Sequence, residues 1–95
     1  MLYVIHCTDK PDSLPLRMAT REAHLAYVQG TKLVDFRAGG PFLSPEGAMV
    51  GSMLIVESGD PERVQEFVAG DPYGKAGLFS RVDVRPWKVT VGTIG

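Results

Sequence analysis

Few residues here announce a chemistry on sight. There is a single cysteine, Cys7, among 95 residues. One thiol excludes an intrachain disulfide framework and any CxxC metal or redox motif, and it fits a reducing compartment. An excess of one charge is also lacking: 10 Lys+Arg stand against 11 Asp+Glu, for a net charge of -1. Without surplus positive charge to neutralise a phosphate backbone, nucleic-acid binding is disfavoured. Apolar runs such as Met53–Val56 fall far below the ~20 residues that span a bilayer, so no membrane partner is expected. The first loop, Thr8-Asp9-Lys10-Pro11-Asp12, has no glycine-rich phosphate cradle. His6, Cys7 and His24 show no metal-ligand spacing, so neither metal nor cofactor is expected. The opening Met1-Leu2-Tyr3-Val4-Ile5 lacks a basic leader and soon meets Asp9 and Lys10, which predicts a cytoplasmic protein without a signal peptide.

What is present describes one soluble domain over residues 1–95. Hydrophobic residues make up 44% and charged ones 22% of the chain, which excludes disorder. A chain this long buries roughly 65% of its unfolded surface, enough for a thin core that oligomerisation would help. Residues 2–7 read as a buried strand. From Leu16 to Gln29 the period is helical, with Leu16, Ala19, Ala23, Ala26 and Tyr27 on one arc and Gly30 as the stop. Residues 32–38 alternate as a strand, with Val34, Phe36 and Ala38 on one side, and Gly39-Gly40-Pro41 is expected to break it. Residues 50–57 form a third strand with Ser52, Leu54 and Val56 on one face. Asp60 as N-cap, Pro61 at N1 and Val64, Phe67 and Val68 at helical spacing define a second helix ending at Gly70. Asp71-Pro72-Tyr73-Gly74 opens a turn, and a last strand occupies about residues 80–89. The order β-α-β-β-α-β is that of a ferredoxin-like α+β sandwich, with both helices on one face of one sheet. The uncovered face is half apolar, which predicts a homodimer, with Phe36 or Met53 reaching the contact.

This fold hosts many functions, so the activity must come from a site. His24, mid-helix beside the alanine arc, is either a partly exposed histidine with a local hydrogen bond or a general acid/base able to work near neutral pH. Asp71, held between Gly70 and Pro72, either caps its own turn or orients an imidazole and stabilises its protonated form. Ser52 interrupts an apolar strand and either is tolerated there or binds a ligand. Gly39-Gly40-Pro41 sets turn geometry or brings backbone amides close to a substrate. His6 and Cys7 read as a sheet-face histidine and a small buried hydrophobe. Arg81, Arg85 and Lys88 read as a solvated basic edge.

Placed in order, the opening Met-Leu-Tyr-Val-Ile, the segment Arg21-Glu22-Ala23-His24-Leu25, Gly40-Pro41, Gly51-Ser52, Asp71-Pro72-Tyr73 with Ala76-Gly77-Leu78, and Val82 to Lys88 make the chain resemble the YciI family of YCII-related domain proteins. The resemblance runs from residue 1 to about 88. It implies a ferredoxin-like fold, a dimer whose sheets meet in an α+β barrel, and a pocket with His24 and Asp71 as its His–Asp pair, lined by Ser52, Gly40, Pro41 and Tyr73. The stretch from Phe42 to Val50 is short for the family, which bears on substrate size. One relative resembles a dehydrochlorinase acting on a chlorinated hydroxyquinol, and related barrels include muconolactone isomerases and cofactor-free monooxygenases. The expectation is a small cofactor-independent enzyme of lyase or isomerase type, using the dyad on a small cyclic or enolisable substrate. Its rivals are a non-catalytic dimeric module that binds a small ligand or assists a partner, and a cofactor-free oxygenase.

Overall fold

The computed structural model describes residues 1–94. Its elements are β1 (Leu2–Asp9), α1 (Leu14–Gly30), β2 (Asp35–Leu43), β3 (Met49–Glu57), α2 (Pro61–Gly70), α3 (Pro72–Lys75) and β4 (Phe79–Trp87). The strands form one antiparallel sheet in the order β2-β3-β1-β4. Both long helices lie on the same face of it, and the fold is ferredoxin-like.

Strand alternation decides which side chains meet the helices. Ile5 stands opposite Leu54 and Val84, and Cys7 opposite Ser52 and Val82. Tyr3, Ile5 and Cys7 of β1, with Leu54 and Val56 of β3, form the buried floor. Val28 from α1 and Val64 and Phe67 from α2 close the core over it. The boundaries of α2 follow from local chemistry. The Asp60 carboxylate accepts the Glu62 N–H at 2.9 Å, Pro61 needs no donor at the first position, and Glu62 suits the positive end of the helix.

Three expectations change. First, the alanine arc of α1 does not face the sheet: Leu16, Ala19, Ala23 and Ala26 are exposed, and the buried residues are Arg17, His24 and Val28. The helix is turned by roughly a third of a revolution because these two polar residues find partners in the sheet and the turn after α2. Second, Gly39-Gly40-Pro41 does not break β2, which continues to Leu43. An edge strand tolerates proline, since no neighbour needs its missing donor. At Gly39 a Cβ would lie 2.6 Å from Leu54 Cδ2 and 3.0 Å from the Phe36 ring, so any larger residue would have to push these side chains aside. Third, a register shift between Phe36 and Ala38 separates their faces. Phe36 points under α1, opposite Val56, and does not reach the open face where a dimer contact was expected. Met53 does lie on the open face, half exposed.

Candidate functional site

The site grows from the N-terminal half of α1. Because residues three and four apart share a helix face, Arg17, Arg21, His24 and Val28 look the same way, into a cavity of about 150 Å³ between α1 and the sheet. Met49, Ser52 and Leu54 of β3 supply the floor, Phe36, Gly39, Gly40 and Pro41 of β2 one wall, and Tyr73 of α3 the back.

His24 is buried, and its Nδ1 lies 2.8 Å from Asp71 Oδ1. The same oxygen accepts the Tyr73 backbone N–H at 2.9 Å. A carboxylate oxygen accepts and does not donate, so Nδ1 carries the imidazole proton and the neutral ring presents its lone pair at Nε2. Among the described residues Nε2 has no protein partner, and it is not sealed from solvent. Asp71 therefore fills both roles open to it: it caps α3 and it orients His24. The Tyr73 ring stacks on the imidazole with centroids 4.0 Å apart and planes 17° apart.

Arg17 is the residue that sequence reasoning missed. Only 3% exposed, it donates from Nε and Nη2 to the two carboxylate oxygens of Asp9, at 2.7 and 3.1 Å, and from Nη2 to Ser52 Oγ at 2.7 Å. Its guanidinium carbon sits 4.6 Å from the Tyr73 ring centroid. Burial is the largest single influence and works against its charge, but the hydrogen bond to Asp9, the Asp9 charge and Tyr73 together outweigh it and hold the guanidinium above its ordinary range. Ser52 accepts from Arg17, so its own hydroxyl proton is left to point elsewhere. Burial holds the Tyr73 phenol above its usual range, opposed by Arg17 and Arg21 and reinforced by Asp71 and Asp9, so it stays a neutral donor. Burial, with Asp71 and Asp9 nearby, pushes the Cys7 thiol up to about 12, which makes it inert.

Of the residues expected at a pocket, His24, Ser52, Gly40, Pro41 and Tyr73 line this cavity, and Asp71 stands behind His24. Gly40 does not owe its place to close approach, since a Cβ there would meet nothing within 4 Å. His6 lies apart on the open sheet face, its ring 4.7 Å from Phe42. Arg81, Arg85 and Lys88 are exposed. Among the described residues no cluster of three His, Cys, Asp or Glu side chains is placed to hold a metal. None of their helices is long and apolar enough to cross a membrane.

A ferredoxin-like α+β domain with a small, polar-backed cavity between sheet and first helix is the class defined by this fold and site. Comparison makes it specific: the YCII-related domain matches residues 1–88, and the chain belongs to that family. It is 38% identical to Protein YciI of Escherichia coli O6:H1 over 93% of this chain and 97% of that one. It is 32% identical to the derivative of benzaldehyde biosynthesis cluster protein C of Emericella nidulans, over 82% and 88% of the two chains. Among solved structures it resembles the 5-chloro-2-hydroxyhydroquinone dehydrochlorinase of Burkholderia phenoliruptrix AC1100, in complex with 2,5-dihydroxybenzoquinone. That match has a TM-score of 0.85 and 40% identity over 93% of this chain and 94% of the other. An antibiotic biosynthesis monooxygenase, at 13% identity and a TM-score of 0.58, shares the fold alone.

Proposed function

We propose that this protein is a small cofactor-independent enzyme of the lyase or isomerase kind, acting by proton transfer on a single-ring, enolisable substrate. One observation carries the reading: an imidazole whose Nδ1 is fixed by a buried carboxylate at 2.8 Å, with its free Nε2 on a residue that lines a cavity. The cavity, at about 150 Å³, matches the size of apolar cavity known to accept one benzene ring. The likeness to a dehydrochlorinase with a bound quinone supports the same substrate class.

His24 Nε2 takes a proton from a substrate O–H or C–H, and the freed electron pair builds a conjugated enolate or carbonyl. In a lyase reaction that pair forms a new carbon–carbon double bond as a leaving anion, such as chloride, departs with its bonding electrons from the tetrahedral carbon β to the carbonyl. In an isomerisation the imidazolium returns the proton to another carbon. Asp71 fixes the tautomer and stabilises the imidazolium. Ser52 and Tyr73, with the backbone of β2 near Gly40 that lines the same cavity, hold the developing negative oxygen. A second copy packed on the open face, over Met53 and its neighbours, belongs to this proposal. Light scattering tests it, and a 10.3 kDa mass at all concentrations contradicts it.

With 5-chloro-2-hydroxyhydroquinone as probe, His24→Gln lowers the rate of chloride release about 10²–10⁴-fold without unfolding the domain. Asp71→Asn also loses rate, because the amide no longer enforces the tautomer. Unchanged turnover in His24→Gln overturns the acid/base role. Binding without turnover in the wild type returns the chain to a ligand-binding module, and oxygen consumption during turnover reassigns it as an oxygenase.

A further inference from the structure

The charges around the cavity do not balance. Two arginines line it, Arg17 and Arg21, and no Asp or Glu does. Arg17 is already neutralised by Asp9 through two bonds. Asp71 is committed behind His24, and Oδ1 already takes two donors. Arg21 is different: among the ion pairs of the described residues, none includes it. It is exposed, four residues after Arg17 and three before His24, at the rim of the same face. Its charge reaches inward, since with Arg17 it opposes, without cancelling, the upward push of burial on the Tyr73 phenol.

The hydrogen-bonding inventory leans the same way. Ser52 receives a bond from Arg17 and has its own proton to give, and the Tyr73 phenol is a neutral donor. His24 Nε2 is the free acceptor of the dyad. Donors on two sides and a spare guanidinium on the rim suit a ring rich in acceptor oxygens and carrying negative charge.

Resting on the reading of this cavity as a single-ring site, we infer that Arg21 is its specificity-determining residue, pairing with an anionic oxygen substituent on the substrate, a carboxylate or an enolate-type oxygen. A guanidinium offers such a group a planar fork, which an ammonium does not. Arg21 does no proton transfer; it selects the charged substrate and sets its orientation, with the ring against His24.

The test uses two probes of nearly the same shape, benzoate and neutral benzamide, titrated by calorimetry into wild type, Arg21→Gln and Arg21→Lys. Wild type favours benzoate about 10-fold at low ionic strength. Arg21→Gln abolishes the preference while leaving benzamide affinity unchanged, Arg21→Lys keeps part of it, and added salt erodes it in wild type. The enolate case is read with 2,5-dihydroxybenzoquinone, whose affinity falls similarly in Arg21→Gln. Equal binding of benzoate and benzamide by wild type, or an undiminished benzoate preference in Arg21→Gln, overturns the assignment and leaves the cavity as a ring site. Failure of wild type to bind any of the three overturns both together.

Discussion

The covered face of the sheet has two unlike halves. Under α2 the contacts are those of an ordinary core: Val64 and Phe67 press on the apolar floor, and the Phe67 ring stacks on Tyr27 at 5.4 Å. Under α1 the buried residues include Arg17, His24, Ser52 and Asp71, and the structure there is set by hydrogen bonds whose partners come from β1, β3 and the turn that caps α3. Among the described residues, no buried side-chain polar atom lacks a partner. The apolar half tolerates small losses of geometry because burial is non-directional. The polar half does not, because each group removed strands another. One half holds the domain together, and the other keeps a cavity open in a protein with little core to spare.

The largest expected effect comes from Cys7, which sits on the floor beneath the polar half. With the thiol pushed from 9.0 up to about 12, its thiolate population in the fold is about a thousandfold below that of a free thiol at neutral pH. Iodoacetamide labelling of native protein falls accordingly and recovers in urea. The linkage has a definite sign. The unfolded thiol loses its proton near 9 while the folded one keeps it, so this stability is full below 9 and is lost as pH rises toward about 12. The raised Tyr73 and Tyr27 phenols act in the same direction. Urea midpoints therefore fall steadily above pH 9, and Cys7→Ala flattens part of that fall.

Next come the two halves themselves. Phe67→Ala, at a residue with no exposed surface, costs about 3–5 kcal/mol by opening a cavity in the apolar half. The protein that remains folded keeps its turnover number. Arg17→Ala costs about 3 kcal/mol by leaving the Asp9 carboxylate buried and unpaired, and it also frees Ser52 and removes the cation from Tyr73, so turnover falls as well. Urea denaturation with steady-state rates at a permissive temperature separates the pair. Equal kinetic damage from both would erase the distinction between the halves.

How much of this was legible in the sequence follows the same division. Strand alternation, the Asp60-Pro61 start and the Gly70 stop are local signals, and local physics enforces them, so β1, β3, α2 and β4 were readable. The buried face of α1 was not. Hydrophobicity pointed to its alanines, whereas the face is chosen by Asp9 and by Asp71, 47 residues from His24. A signal for Arg17 existed: Arg17, His24 and Val28 recur at helical spacing, and Asp9 ends the preceding strand. Reading it required accepting a buried guanidinium, which composition alone argues against. The family resemblance supplied His24 and Asp71, and geometry explains why they meet.

The smallest effect sharpens the comparison most, because the chain contains the same short device twice. Asp60-Pro61 opens α2 and Asp71-Pro72 opens α3, and in each the carboxylate accepts the N–H two residues on at 2.9 Å. As caps they are equivalent. Asp60 is exposed and, among the described residues, its carboxylate bonds only this N–H, whereas Asp71 is 3% exposed and accepts the His24 Nδ1–H on the same oxygen that caps. Asparagine caps nearly as well as aspartate, so Asp60→Asn shifts stability by only a few tenths of a kcal/mol, and turnover is unchanged. Asp71→Asn preserves the cap through its amide oxygen, but that oxygen no longer carries the charge that fixes and stabilises the imidazole. Thermal melts and chloride-release rates on the two variants, side by side, isolate what burial beside a histidine adds to an otherwise identical turn. If the two asparagines behaved alike in turnover, Asp71 would be a cap and nothing more.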